Sequence, residues 1–359
     1  MCKITGFLHL TQPVCQIPEL SGKRIRGCFH GWIIPSNHPH NNIWSFWNPS
    51  STSSIISLPP LLLKDGDYDS IRECCLSAPP DNPNSVFLLT RTNNPTFVFC
   101  QLSPKKTKKP RWTEMSYAYQ LKRITLNGRL LHSLTFCNGH IYTLSDDNCI
   151  HPFVIRVEIV VKDREVVVQL LPFGTLPYFP SERCPKRLNF LIGSHTELFH
   201  IAVGFRRETD KIPGDVYLFK CDMTSINWKE LECLKNWDMT AVVSLDKIFS
   251  GYLGDLSVIA EHMWEEVEDL KEGIFVVDLA CDNSGFYNPA IGSRLGGYIH
   301  IRDNMDKLIY SYHINSKTIL PSPLPFSVLP TSHMLMWECW LEIRMPNSQL
   351  ILNNKRLRW

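Results

Sequence analysis

The chain has 359 residues, 44% of them hydrophobic and 20% charged, and a formal net charge of +2. Such a composition belongs to a globular chain with a substantial core, and it excludes nucleic-acid or acidic-membrane binding driven by bulk charge. The length suits two average domains or one large all-β domain.

In chain order, residues 1 to 16 form a short lead-in, and strand chemistry begins beyond Ile17. The stretch 26 to 61 holds three short runs rich in β-branched and aromatic residues. They are divided by Pro-Ser-Asn-His-Pro-His-Asn-Asn and by Asn-Pro-Ser-Ser-Thr, which favour turns. A three-stranded antiparallel meander is the expectation, and it must pack on another sheet because one face and its edges would otherwise stay exposed. A second cluster reads as strands at 71–76, 85–90, 96–101 and 112–115, split by Pro- and Asn-rich separators that cannot continue a helix. A third reads 131–137, 140–144, 153–161 and 165–171, with Asn138-Gly139 as a tight hairpin turn. A fourth reads 188–193, 197–205, 215–222 and 227–231, and a fifth 273–279, 298–302, 308–314 and 318–320.

Four short strands recurring at about 40 residues predict a β-propeller of about five to seven antiparallel blades. One passage departs from the pattern. Apolar residues between 256 and 270 fall at helical spacing, which predicts a short inserted helix over 256–263. The competing reading is a duplicated blade edge, because the eight residues from Trp264 repeat those from Trp228 at Trp, two Glu, Leu and Lys.

The 13 cysteines contain no Cys-x-x-Cys spacing, and many lie in apolar runs, as Cys100 does, so buried reduced thiols are expected rather than a disulfide framework. The first residues lack the apolar run of a signal peptide, and no stretch reaches the roughly 20 apolar residues of a membrane helix. The cytosol or the nucleus is the expected address. No metal, phosphate-loop or nucleophile-elbow motif occurs, so no catalytic residue, cofactor or metal site is assigned. Trp32, Trp44, Trp47, Trp112 and Trp228 are read as packing between sheets. The double glycine Gly296-Gly297 is read as a bulge or a close strand approach.

A set of motifs in fixed order carries a family resemblance. It comprises His30-Gly31-Trp32, Asn48-Pro49, Leu58-Pro59-Pro60-Leu61, Pro79-Pro80-Asp81-Asn82-Pro83, Trp112, Asp215-Val216-Tyr217-Leu218-Phe219-Lys220, Trp228-Lys229-Glu230-Leu231 and Gly297-Tyr298-Ile299-His300-Ile301. Together these resemble the plant F-box-associated, KIB-type β-propeller family over residues 17 to 325, leaving 326–359 as a closing strand and basic tail. The resemblance implies a kelch-like propeller that, in complete members, follows an N-terminal F-box and recognises the substrate of a cullin-based ubiquitin ligase. On this reading Gly31, Trp32, Asn48, Pro49, Pro59, Pro60, Trp112, Trp228 and Gly297 are structural.

The expected job is therefore that of a protein-interaction module with an unknown protein target, and not an enzyme. No nucleic acid and no membrane are expected as partners. The F-box is not recognisable here, so binding of a Skp-type adaptor is not expected. The alternatives are a propeller enzyme acting on a small molecule in the central channel, for which Asp146, Asp222 and Asp278 are available carboxylates, or a non-functional truncated paralogue.

Overall fold

Proline and Asn-Gly punctuation cut the apolar runs into short strands, and most of the described residues belong to them. A computed structural model describes residues 23–37, 40–48, 55–102, 110–125, 129–145, 152–162, 165–177, 184–207, 212–226, 263–270, 273–279, 285–289, 296–303 and 308–323. These residues form five sheets arranged as the blades of a β-propeller.

Blade 1 contains β1 (Lys23–Phe29), β2 (Trp32–Asn37), β3 (Ser45–Trp47) and β4 (Ile55–Ser57), paired in sequence order. Blade 2 contains β5 (Ile71–Leu76), β6 (Val86–Arg91), β7 (Thr96–Gln101) and β8 (Trp112–Ser116). The helix α1 (Ala118–Ile124) then leads into blade 3, made of β9 (Leu131–Cys137), β10 (His140–Ser145), β11 (Phe153–Lys162) and β12 (Glu165–Thr175). Blade 4 has β13 (Lys186–Gly193), β14 (Glu197–Phe205), β15 (Asp215–Asp222) and the two-residue β16 (Glu265–Glu266). Blade 5 has β17 (Gly273–Asp278), β18 (Gly285–Pro289), β19 (Tyr298–Asp303), β20 (Leu308–His313) and β21 (Thr318–Pro323), in the order β18-β17-β19-β20-β21.

The inner strands meet in succession: β1 lies against β5, β5 against β9, β9 against β13 and β13 against β18. Between consecutive blades the apolar faces close on each other. Trp32, Ile34, Trp44 and Phe46 of blade 1 meet Leu76, Phe87 and Leu89 of blade 2. Leu88 and Phe97 of blade 2 meet Leu131 and Ile155 of blade 3, Leu144 and Phe173 meet Leu198, and Phe199 and Ile201 meet Phe275 and Ile301. Because a blade is covered on both faces, its middle strands read as continuous apolar runs instead of alternating; β6 is buried at every position.

Two prolines inside strands mark irregularities of pairing. Pro35 sits where the β1–β2 register jumps between Ile25 and Gly27, and Pro172 where β11–β12 jumps between Val154 and Ile155. A bulge has a gap in its ladder, so a residue without an N–H costs little there.

Three expectations change, and a fourth is scarcely tested. The first meander has four strands, because His30 (φ 53°) and Gly31 (φ +76°) make a two-residue turn inside the run read as one strand. Gly297 takes φ +85° in the turn entering β19, so backbone conformation, and not a bulge, calls for glycine there. The blades begin at residues 23, 71, 131, 186 and 273, wider apart than the 40-residue spacing. The passage read as helix lies almost wholly outside the described residues; at its end Met263 is in a turn, and Glu265–Glu266 form the edge strand that the blade-edge reading anticipates. The helix that is described, α1, was not anticipated. The terminal segments 1–16 and 326–359 lie outside the described residues as well.

Candidate functional site

The inner strands of blades 1 to 4 line the central channel and run in one direction. Their alignment follows from cross-blade bonds: the Cys74 thiol points at the Arg26 carbonyl (3.6 Å), Glu73 reaches Ser133 and Leu134, and the Ser133 hydroxyl points at the Asn189 carbonyl (3.4 Å). One end of the channel therefore collects the starts of β1, β5, β9 and β13, and the other end collects their finishes.

Near the middle of the channel β9 bulges. Two residues, Ser133 and Leu134, lie between the pairs Tyr142–Thr135 and Leu144–His132, and Ser133 has φ +57°. The bulge turns two successive N–H groups out of the ladder. The Glu73 carboxylate, from the next blade, accepts both, at 2.8 Å from Ser133 and 2.5 Å from Leu134. Glu73 comes from a bulge of its own, since the β5–β6 register jumps between Ile71 and Cys74. Thus one carboxylate ties blade 2 to blade 3 where neither ladder can satisfy the groups involved.

Buried histidines flank this seam. Burial, reinforced by the Arg72 charge, holds His132 down to about 3, and burial with Arg187 does the same to His200. His200 Nε2 lies 3.1 Å from Asn189 Oδ1, an acceptor, so Nε2 carries a hydrogen. Burial also brings His300 of blade 5 to about 4, with Nδ1 2.9 Å from the Ser311 hydroxyl.

At the finishing end, the β1–β2 turn folds across the channel rim. His30 Nε2 donates to the Leu76 carbonyl of blade 2 at 3.1 Å, and its ring stands edge-on to Phe136 of blade 3 at 4.4 Å. Desolvation lowers the His30 pKa, and the bond to Leu76 partly offsets that. Phe29 packs into the cores on both sides of blade 2, and Cys28 beside it is accessible, with its thiol pushed up to about 11 by the surrounding protein.

The starting end has a different character. Across the whole of β1, β5, β9 and β13 the Lys and Arg residues are Lys23, Arg24, Arg26, Arg72, Lys186 and Arg187; Arg26 is at the middle of β1 and the other five are in the first halves of their strands. The same strands carry one carboxylate, Glu73. Strands that alternate in direction return to this end between β2 and β3 and between β14 and β15, and each blade is also entered here. The connections on this face expose Ile43, Leu62 (77% exposed), Tyr119 (75%) and Ile212.

The residues assigned structural roles sit as follows. Trp32 is buried between blades 1 and 2. Trp112 donates from Nε1 to the Pro59 carbonyl at 2.9 Å, which ties the last strand of blade 2 to the connector from blade 1. In that connector Leu58 and Leu61 are buried, the Leu58 N–H binds the Trp44 carbonyl and the Leu61 N–H the Asn42 carbonyl, and Pro60 faces solvent. Gly31 and Gly297 serve turns. Asn48 is partly buried at the end of β3, while Pro49 and Trp228 lie outside the described residues.

Of the three carboxylates considered for a channel enzyme, Asp278 pairs with Arg302 (3.4 Å), Asp222 caps a turn through Thr224 (2.9 Å), and Asp146 lies outside the described residues. Among the described residues no group of three or more His, Cys, Asp or Glu is placed to hold a metal, and no helix is long and apolar enough to cross a membrane. Sequence reasoning missed Glu73 and the basic mouth. The signal for Glu73 was Arg72-Glu73, a charged pair inside the apolar run of residues 71–76.

Residues 7–284 match the sequence model of the family described as KIB1-4 beta-propeller. No curated protein matches the chain.

Proposed function

Because this chain belongs to the KIB1-4 β-propeller family, we propose that it is a protein-interaction module whose target docks on the face around the basic mouth of the channel. The finer reading is that of a substrate-recognising arm, of the kind F-box proteins supply to cullin-based ubiquitin ligases. It acts by holding a protein and carries out no chemistry itself. The observation that carries this reading is the placement of Ile43, Leu62, Tyr119 and Ile212 on one face. Large apolar side chains left in water beside a charged rim are the ordinary anatomy of a protein-binding surface. A setting in the cytosol or nucleus accords with the buried thiols of Cys74, Cys75, Cys100, Cys137 and Cys221, none of them in a disulfide, inside the blades.

The test is affinity capture from tissue lysate with the chain and with a Leu62→Glu, Tyr119→Glu variant. Both side chains are exposed, so the variant should melt with the parent. The reading expects a protein captured stoichiometrically by the parent and lost by the variant. Capture of the same protein by both would refute this face as the docking surface, and recovery of heat-shock chaperones alone would refute the module.

A further inference from the structure

We propose that the surface between blade 5 and blade 1 is the docking site of this chain's own segment 324–359, which packs there as a further blade and completes the ring. The inference goes beyond the docking reading, because it concerns the faces of blades 1 and 5 that point away from the other described blades.

The first ground is a pair of faces that are buried by something outside the described blades. In blade 5, Phe275, Val277, Ile299 and Ile301 point at blade 4. Side chains alternate along a strand and directly paired residues share a face, so Ile274, Val276 and His300 point the other way, as do Ser311, opposite His300, and Ile309, opposite Arg302. In blade 1, Trp32 and Ile34 point at blade 2, which leaves Ile33 on the opposite face, paired with Trp47. Ile25, Ile33, Ile274, Val276 and Ile309 are each at most 7% exposed. None of the five belongs to the cores between blades 1 and 2, 2 and 3, 3 and 4, or 4 and 5. Apolar side chains withdrawn from water to this degree have protein against them. Blades 5 and 1 do not cover each other: the succession of adjacent inner strands ends at β18, and among the described residues no strand of blade 5 meets blade 1 as β1 meets β5.

The second ground is the path of the chain. It leaves each blade from the outermost strand and enters the next, from β4 to β5, β8 to β9, β12 to β13 and β16 to β17. In blade 5 the outermost strand is β21, so the residues after Pro323 are the ones delivered to the side of blade 5 that faces blade 1. The third ground is size and chemistry. The 36 residues after Pro323 equal, within one, the 35 that blade 1 spans. They carry the apolar run Met334-Leu335-Met336-Trp337, then Cys339-Trp340-Leu341, the turn signal Pro346-Asn347-Ser348, and Leu350-Ile351-Leu352. The 22 residues before Lys23 are too few for a blade, and 227–262 are bracketed by β15 and β16 of blade 4. The cover also stops short of the rim. Ile55 of β4, opposite Trp47, and Leu320 of β21, opposite Ser311, lie on the same two faces and stay 43% and 45% exposed, as beside an insert narrower than its neighbours. A closed ring removes the sheet flanks that an open stack would present to other chains.

Ile55 and Leu320 supply the test, because both border the covered faces and neither is part of a core. The full chain is prepared with the photo-reactive amino acid p-benzoylphenylalanine in place of Ile55, or of Leu320, as a mixture of isotopically light and heavy molecules. After irradiation and digestion the cross-linked peptides are identified by mass spectrometry. Both positions should cross-link to peptides within 324–359 of the same molecule. Cross-links to 1–22 or 227–262 instead, cross-links between blades 1 and 5 alone, or pairs of light with heavy chains would overturn the assignment, and so would a lack of any cross-link to 324–359. Amide hydrogen exchange of the unmodified full chain gives a second measurement. Residues 334–343 and 350–352 should exchange at least about a hundredfold more slowly than in a free peptide of the same sequence, and exchange at the peptide's rate would overturn the blade. Leu62 and Tyr119 enter neither measurement, so this proposal and the docking reading can each fail alone.

Discussion

Removing the Glu73 carboxylate tests the account of the blade 2 to blade 3 seam most directly. Its side chain is 5% exposed, and its two oxygens take the N–H groups of Ser133 and Leu134, both buried. In Glu73→Ala those donors lose their acceptor where water cannot easily follow. An unsatisfied buried donor costs about 1–3 kcal/mol, so the pair should cost about 3–5 kcal/mol after partial relaxation. Glu73→Gln keeps one carbonyl oxygen but turns an amide NH2 toward the second donor, which gives about 2–3 kcal/mol. Scanning calorimetry reads the difference; at roughly 2 °C per kcal/mol for a chain of this size, Glu73→Ala should melt about 6–10 °C lower. Amide hydrogen exchange supplies the local readout, since Ser133 and Leu134 should lose protection before the centres of β10 and β14 do. A Glu73→Ala protein melting within about 1 °C of the parent, with both amides still protected, would refute the seam.

Four further predictions follow from the same packing. Phe87 is fully buried, with Trp44, Phe46 and Trp112 at ring distances of 5.5, 5.1 and 6.0 Å, so Phe87→Ala should cost about 3–5 kcal/mol in denaturant unfolding, and a cost below about 1 would count against the inter-blade core. His132 and His200 stay neutral in the fold with pKa values of about 3 against an ordinary 6.5, so the unfolded chain takes up protons first as pH falls. Stability is full above about pH 6.5 and falls below it, by about 2 kcal/mol for each histidine at pH 5; equal unfolding midpoints at pH 7 and pH 5 would contradict their burial. Among the seven described cysteines only Cys28 is accessible, so native protein should label there, slowly because of its raised pKa, while prompt labelling of Cys75 or Cys100 would contradict the blades. Mixed with a Skp-type adaptor, the chain should elute separately on size exclusion, since the one α-helix among the described residues spans only Ala118–Ile124; co-elution would show an adaptor site on the blades.

Local chemistry made several parts of this fold readable. Asn138-Gly139 specifies a hairpin because both residues tolerate positive φ, and the structure has them at φ 45° and +82°. Strands of blades 2 and 3 follow from Pro- and Asn-rich separators that allow no other element, and Trp32 and Trp112 were legible as packing residues because large aromatic rings seldom stay in water. What tertiary structure alone decided is which strands share a wall. His30-Gly31 looked like part of one strand because nothing nearby interrupts the apolar run, and its turn exists because Trp32 and Ile34 must reach the core facing blade 2. Glu265 and Lys220 meet at one edge only through pairing across the 42 residues between β15 and β16, a separation that no local pattern encodes. The basic mouth is the clearest case. Lys23-Arg24, Arg72 and Lys186-Arg187 lie far apart along a nearly neutral chain, and only the common direction of the inner strands gathers their charges at one end of the channel. Charge acts through distance in space, and that distance is set by the ring of blades and not by position in the chain.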